Sequence, residues 1–404
     1  TKIAQRFIAG CKRDQTMTRI TVKPGGRKEI RMGLLGCGFM GKCHTNAYKT
    51  IPYIYADANL MPRLLVLCDK DQKKVEHAAA QYGYEECCTD YEELVSDDRI
   101  DVVDNCLPDP VHPEPCIAAL NNGKHVICEK PLAISVDDAK RMCDAAAASS
   151  AKAMCTFNYR FVPAVRLAKD LIAAGEIGDI YHLRTGYLQM AGHDPSLSSD
   201  EAWYSAWPHS GGLQGIGSHA IDQCRFLVGE IKSVSALVRA FNQDRAIPSA
   251  GSPDAFADEG TAAVMEFENG AIGVIESSVV ATGRKNFLWW EINGSKGSLK
   301  WDLEHPNSLF ACLDDRSDDA LMGFREISVT ENCHPYVAPW WPHGHNLGWE
   351  HCHIIEKFHF LDAIGNNKPL SPYTATFEDG YRVAVIIDAM RKSDRQGQRI
   401  TLNY

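Results

Sequence analysis

Short apolar runs alternate with amphipathic stretches through the first third of the chain. Glu29–Leu35 is an apolar strand that runs into Gly36-Cys-Gly-Phe-Met-Gly41 and then into a helical stretch from Lys42 onward. Leu64–Cys68 makes a second strand, ending at Asp69, and a helical pattern follows from Lys73 to Tyr82. The alternation continues through a strand over Val102–Leu107, a helix over Glu114–Asn121, a strand over His125–Cys128 and a helix over Ser135–Ala147. Strands and helices in this order build an α/β, doubly wound parallel sheet of the Rossmann type. We expect this dinucleotide-binding unit to occupy residues 30–157.

Beyond Asn158 the pattern changes. A helix over Ala164–Ala174 is followed by period-two stretches over Tyr181–Tyr187, Ile231–Ala240, Thr261–Phe267, Gly273–Val280 and Leu288–Asn293. Alternating strands joined by glycine-containing turns predict a C-terminal α+β domain, residues 158–404, with a mostly antiparallel open sheet. Asn332–His353, rich in Trp, Pro and His, reads as a loop. No internal repeat or low-complexity tract stands out.

Composition narrows the chemistry. With 404 residues and 45% apolar content the chain can bury two cores. A formal net charge of -10 argues against nucleic acid and anionic membrane as partners and favours a small neutral substrate. The 15 cysteines include Cys68, Cys106, Cys128 and Cys155 in apolar runs, where a thiol behaves as a small hydrophobe. The vicinal Cys87-Cys88 pair lacks flanking basic residues and reads as a bystander. No stretch is long and apolar enough to span a bilayer, and the leader lacks a signal-peptide core, so a cytoplasmic setting is expected. Residues 1–29, with eight Lys and Arg against Asp14 and Glu29, read as a solvated arm that could drape over a neighbouring subunit.

Gly36, Gly38 and Gly41 have the GxGxxG spacing that suits a tight turn, close approach of backbone to pyrophosphate and helix-on-strand packing. Asp69, at the end of the second strand, suits the adenosine ribose hydroxyls and would repel a 2′-phosphate, so NAD is expected over NADP. Lys70 beside it weakens that exclusion, and a plain strand-end cap is the competing role for Asp69. The run Gly123–Leu132 puts Glu129 and Lys130 at the carboxyl end of a buried strand, the edge where such sheets bind ligands. There an ammonium can stabilise developing alkoxide charge.

The motifs GCGFMG, LPDPVHPEP, GKHVICEKPLA, FNYRF, GEIGDIYHLRTGY, GSHAID and EINGSKGSLKW, spread over about residues 30–400, together resemble the glucose-fructose oxidoreductase and inositol dehydrogenase family, Gfo/Idh/MocA. The resemblance implies a Rossmann domain followed by a sheet domain that often mediates homo-oligomers. It also implies that Lys130 and His219 form the catalytic pair, with the imidazole taking the hydroxyl proton as hydride leaves the same carbon. Phe39, Met40, Pro108, His112 and Glu129 fall, by the same resemblance, on the cofactor side. One departure stands out: where many members carry an aspartate four residues before the histidine, this chain has Gly215. Asp222, one turn beyond His219, is expected either to support the imidazole or to sit in a buried salt bridge. Tyr159 and Arg160 are candidates for substrate contact, Arg160 alternatively for an ion pair at the domain interface.

Trp203, Trp207, His209, Trp340, Trp341 and His345 offer faces and donors suited to a sugar or aglycone. His343, His345, His351 and His353 lack a convincing fourth ligand, so no metal is expected and the segment reads as a lid. The function implied is NAD-dependent oxidation of a secondary hydroxyl on a sugar, glycoside or cyclitol, most sharply C3 of a glycosyl ring. The alternatives are an inositol 2-dehydrogenase, a glycosidase that oxidises transiently through NAD, and a non-catalytic dinucleotide-sensing regulator.

Overall fold

The structure is a computed structural model that describes residues 26–191, 211–241, 258–313 and 322–404. Of the sequence expectations, most of the leader and Trp203, Trp207 and His209 lie outside the described residues.

The first sheet is built from β1 (Lys28–Leu35), β2 (Leu60–Cys68), β3 (Glu86–Cys88), β4 (Val102–Asn105), β5 (His125–Cys128) and β6 (Ala153–Cys155). Its order is β3-β2-β1-β4-β5-β6, and every pairing is parallel. Met32, Leu34 and Leu35 of β1 are fully buried, because helices cover both faces of such a sheet and leave no polar side. The helices are α1 (Phe39–Ile54), α2 (Gln72–Tyr82), α3 (Tyr91–Ser96), α4 (Pro113–Asn121) and α5 (Val136–Ala148). The order reverses between β1 and β4, and ligands bind at the carboxyl ends of the strands there.

After a short 3₁₀ turn (Asn158–Phe161), the chain enters α6 (Pro163–Ala173) and β7 (Ile180–Leu188). A five-residue π-helical turn, Leu213–Gly217, leads into α7 (Ser218–Leu227). The second sheet is completed by β8 (Ile231–Arg239), β9 (Gly260–Phe267), β10 (Ile272–Ser278), β11 (Phe287–Gly294), β12 (Gly297–Asp302), β13 (Ser308–Leu313), β14 (Arg325–Ser328) and β15 (Ile400–Thr401). Its order is β14-β13-β12-β11-β7-β10-β9-β8-β15. Only the β7–β10 pairing is parallel; the others are antiparallel. Along β10 buried and exposed residues alternate, the signature of a sheet with one covered face.

The expected loop over Asn332–His353 needs correction. Trp349–His353 already form the first turn of α8 (Trp349–Gly365), which packs against α1. Cys352 through Lys357 are all buried, so this helix has no polar face and therefore no readable amphipathic stripe. A last helix, α9 (Phe377–Gln396), packs against both α5 and β8. The C-terminal helices thus brace the Rossmann unit as well as the second sheet. Among the described residues no helix is long and apolar enough to cross a membrane.

Candidate active site

The glycine turn is shaped by sterics that the three glycines answer differently. Gly36 has φ +90, and a Cβ there would stand 2.7 Å from the Cys106 carbonyl oxygen. A Cβ on Gly41 would lie 2.0 Å from the Gly36 oxygen, so only glycine lets α1 close onto the turn. A Cβ on Gly38 would meet nothing within 4 Å. That open space fronts the start of α1, which has no side-chain cap and no acidic residue in its first turn. Its free N–H groups and dipole suit an anion such as a pyrophosphate. Phe39 is exposed and stacks on Trp349 with ring centroids 5.5 Å apart; Met40 is half-buried.

Asp69 closes the far side of the turn. Its Oδ2 accepts from the Cys37 backbone N–H at 3.1 Å and from Cys37 Sγ at 3.1 Å, and its Oδ1 accepts from the Asp71 N–H at 3.2 Å. Partial burial opposes ionisation, but these donors outweigh it and hold the carboxyl below its ordinary value. An ionised carboxylate beside an open glycine turn fits two ribose hydroxyls. The donors and space present therefore fit a bound NAD.

Lys130 follows β5, and its Nζ donates to the Gly215 carbonyl oxygen at 2.8 Å. At Gly215, which has no side chain to offer, a backbone oxygen of the π-helical turn meets the ammonium. Such one-turn π-helical segments re-aim backbone groups and recur at functional sites. Burial lowers the Lys130 pKa, against the opposing charge of Glu129. A backbone dipole carries no full charge, so the ammonium keeps more of its field for a substrate oxygen.

His219 is the second residue of α7 and is 5% exposed. Its ring lies 4.5 Å from that of Tyr159 and 5.9 Å from those of Phe157 and Tyr187. Burial, reinforced by the Lys130 charge, holds the imidazole well below its usual pKa. It is neutral at neutral pH and ready to accept a proton. Beside it runs a chain of hydroxyl and amide groups: the Tyr159 and Tyr187 hydroxyls are 3.0 Å apart, Tyr187 donates to Asn286 Oδ1 at 2.6 Å, and Trp349 Nε1 donates to the Tyr159 hydroxyl at 3.2 Å. Tyr187, Asn286 and Trp349 were not anticipated from the sequence. Nothing local distinguishes them; only the sheet register and α8 bring them here.

Arg160 and Asp222 are assigned differently by the structure. Arg160 donates to both Asp222 oxygens, at 2.9 and 2.5 Å, and to Asp379 Oδ1 at 3.1 Å. Asp379 is shared with Arg225, which also pairs with Glu230. Both Arg160 and Asp222 are almost fully buried. Both thus take the ion-pair role that the sequence offered as an alternative, and no contact joins Asp222 to His219 among the described residues. His112 is likewise buried, with Nδ1 3.0 Å from the Pro131 carbonyl oxygen and Nε2 2.8 Å from that of Leu107. It ties the segment after β4 to the turn after β5 and sits behind the cofactor face, whereas Pro108 is exposed on that segment.

His345 is exposed and its Nδ1 faces the Pro342 carbonyl oxygen of its own loop at 2.8 Å. Trp340 is buried and Trp341 exposed. His343 and His345 belong to neither of the two groups of ligand-type side chains gathered among the described residues. Those are His44, Asp104 and Cys106, and His44, Glu129 and His353.

Comparison with known proteins follows the same lines. Residues 30–157 match the model of the oxidoreductase family with an NAD-binding Rossmann fold, and residues 165–300 match the GFO/IDH/MocA C-terminal domain. Levoglucosan dehydrogenase of Pseudarthrobacter phenanthrenivorans is 35% identical over 382 residues, covering 91% of this chain and 96% of that protein. Inositol 2-dehydrogenase of Rhizobium meliloti is 28% identical over 282 residues, 69% of this chain and 78% of that one. Among solved structures, levoglucosan dehydrogenase in complex with NADH and levoglucosan superposes with a TM-score of 0.85 at 34% identity, covering 93% of this chain and all of that one. An oxidoreductase domain protein from Kribbella flavida gives 0.84 at 38% identity, with coverage of 93% and 100%.

Proposed function

The chain belongs to the Gfo/Idh/MocA family of NAD-dependent oxidoreductases acting on sugars and cyclitols, and from that premise we propose that it oxidises a secondary ring hydroxyl with Lys130 and His219 as its working pair. The observation that carries this is the convergence of the two side chains. The ammonium is anchored on the Gly215 carbonyl, and the neutral imidazole is walled by Phe157, Tyr159 and Tyr187.

NAD, when bound, supplies the hydride acceptor. Gly36, Gly38 and Gly41 shape its pyrophosphate cradle, Asp69 takes its ribose hydroxyls, and Phe39, Met40 and Pro108 line the approach. Lys130 donates to the reacting oxygen and stabilises the charge that develops there. His219 takes the hydroxyl proton on a ring nitrogen. Tyr159, through its hydroxyl, is the substrate-side contact we retain from the sequence.

The sharpest form of the proposal is C3 of a glycoside. Levoglucosan is an internal acetal, so a dehydrogenase acting on it must work on a secondary hydroxyl and not at the anomeric carbon; the full-length similarity supports the same choice here. A C3 hydroxyl is flanked by two others, which the Tyr159–Tyr187–Asn286 chain can hold. NADH absorbance measured across sugars, inositols and plant glycosides tests this: oxidation of glycosides with stoichiometric NADH supports it, and preference for an inositol or cleavage without NADH overturns it. Lys130→Ala and His219→Ala should each lower turnover about a hundred- to a thousandfold or more, with NAD affinity nearly unchanged by calorimetry.

Two further elements belong to this reading. Leu237, Val264, Ile272 and Val274 are exposed on the open face of the second sheet, with Val264 opposite Val274. An apolar sheet face of this kind supports a homo-oligomer, checked by light scattering. The cysteines among the described residues are free thiols, which supports a reducing, cytoplasmic compartment.

A further inference from the structure

Behind the catalytic lysine, at the carboxyl ends of β4 and β5, lies a buried charged cluster that the proposed reaction does not use. His44 of α1 is its centre and is fully buried. Its Nδ1 lies 2.8 Å from Asp104 Oδ2, and its Nε2 lies 3.0 Å from Glu129 Oε1, an ion-pair contact and not an aligned hydrogen bond. Both carboxylates receive other donors: Tyr48 gives its hydroxyl to Asp104 at 2.6 Å, and Thr156 gives its hydroxyl to Glu129 at 2.6 Å. The backbone N–H of Lys130 donates to the second Glu129 oxygen at 3.2 Å. Each carboxyl thus accepts from two donors besides the imidazole, Asp104 from Tyr48 and the Cys106 thiol and Glu129 from Thr156 and the Lys130 N–H.

We propose that His44 is a standing imidazolium that positions Glu129 as a carboxylate behind Lys130 and so keeps the catalytic ammonium charged. The inference rests on the reading of Lys130 given above. A neutral imidazole has one N–H, so one of its two carboxylate neighbours would face a ring lone pair at about 3 Å. Charge balance points the same way. Lys357 is paired with Glu356 at 2.8 Å, which leaves a proton on His44 as the positive charge that sits between Asp104 and Glu129, and an uncompensated buried charge is costly. Lys130 is faced by Asp109 as well as by Glu129.

The other groups facing His44 are Cys106, whose Sγ is 3.2 Å from Nδ1, and His353, whose ring centroid is 5.7 Å away. His353 has no hydrogen-bond partner on either nitrogen and is held well below its usual pKa by burial and then by Lys357 and His44. It is neutral and adds no charge. For His44, burial opposes protonation, but Asp104 with Glu129 outweighs it despite Lys357. Glu129 is in turn held far below the carboxylate range, burial being overcome first by His44. Glu129 is the foremost group opposing the loss of charge on Lys130. His44 is therefore a positioning residue that acts through Glu129.

Two measurements test this. In intact protein labelled with ¹⁵N-histidine, one imidazole should keep both nitrogens protonated at pH values where a free imidazole, titrating near about 6.5, has lost its proton. A His44 signal that titrates near that value, or that is a neutral tautomer at pH 7, overturns the proposal. So does a stoichiometric metal whose release by chelator frees His44, because a protonated Nε2 cannot ligate. In the pH profile of oxidation, His44→Gln should move the alkaline limb down by roughly one unit or more, as should Glu129→Gln. The double variant should move it no further, and the KM of His44→Gln for NAD should stay within twofold. An equal additional shift in the Glu129→Gln background means that His44 does not act through Glu129. Turnover of Lys130→Ala separately decides the reading of the lysine, while the imidazole signals report on His44 whatever that outcome.

Discussion

Replacing Asp222 by alanine separates an architectural role from a substrate-binding one. Asp222 receives two hydrogen bonds from Arg160, which keeps only the 3.1 Å contact to Asp379 when they are lost. Asp379 is already shared with Arg225. Removing one partner of a buried pair costs about 3–5 kcal/mol. The surviving Asp379 contact places this case near the lower end, about 3 kcal/mol. For 404 residues unfolding together, an entropy of roughly 0.85 kcal/mol/K converts this to a fall in Tm of about 3–4 °C. Scanning fluorimetry reads that shift, and kcat/KM of the folded variant, measured well below its Tm, should remain within about threefold. A wild-type Tm combined with a KM raised tenfold or more would refute the assignment and return Asp222 to the substrate. The same ion-pair network gives a pH signature. The Asp379 carboxyl is half-buried, yet Arg160 and Arg225 hold it down to about 2. Its stabilising contribution is complete above the unfolded value of about 3.9 and is lost as the pH falls from there through about 2.

Three further outcomes are expected. Because His219 is held well below its ordinary pKa, the rate of oxidation should stay flat on the acid side until well under pH 6.5; a limb centred at or above that value contradicts the burial argument. Asp69→Ala removes the carboxylate that faces the open glycine turn, so NAD should bind about ten- to a hundredfold more weakly while NADP changes little; calorimetry with both cofactors checks this, and an unchanged NAD/NADP ratio rejects the role. Gly41→Ala drives a Cβ to 2.0 Å from the Gly36 oxygen, so the turn must open; we expect cofactor binding to be lost with a lowered Tm, and wild-type NAD affinity would show that the turn tolerates the methyl group.

Four of the six parallel strands and the cofactor turn were legible in the chain because they depend on local rules: period, glycine spacing, and the acid that ends the second strand. Gly36, Gly38, Gly41, Asp69 and Lys130 follow from position relative to strands that declared themselves by their apolar pattern, whereas the reading of His219 came from the family resemblance. Other features needed the tertiary structure. The pairing of Arg160 with Asp222 and Asp379 joins residues up to 219 positions apart, and nothing in their neighbourhoods separates an ion pair from a ligand contact. Tyr187 and Asn286 meet because β7 and β11 are adjacent in the second sheet. The burial of α8 erased the polar face by which a helix is recognised, hiding Trp349 and His353 in what read as loop. The role of Gly215 was the least readable of all. A glycine has no side chain to announce chemistry, and its carbonyl reaches Lys130 only because the π-helical turn ahead of His219 directs that one backbone oxygen across the cleft.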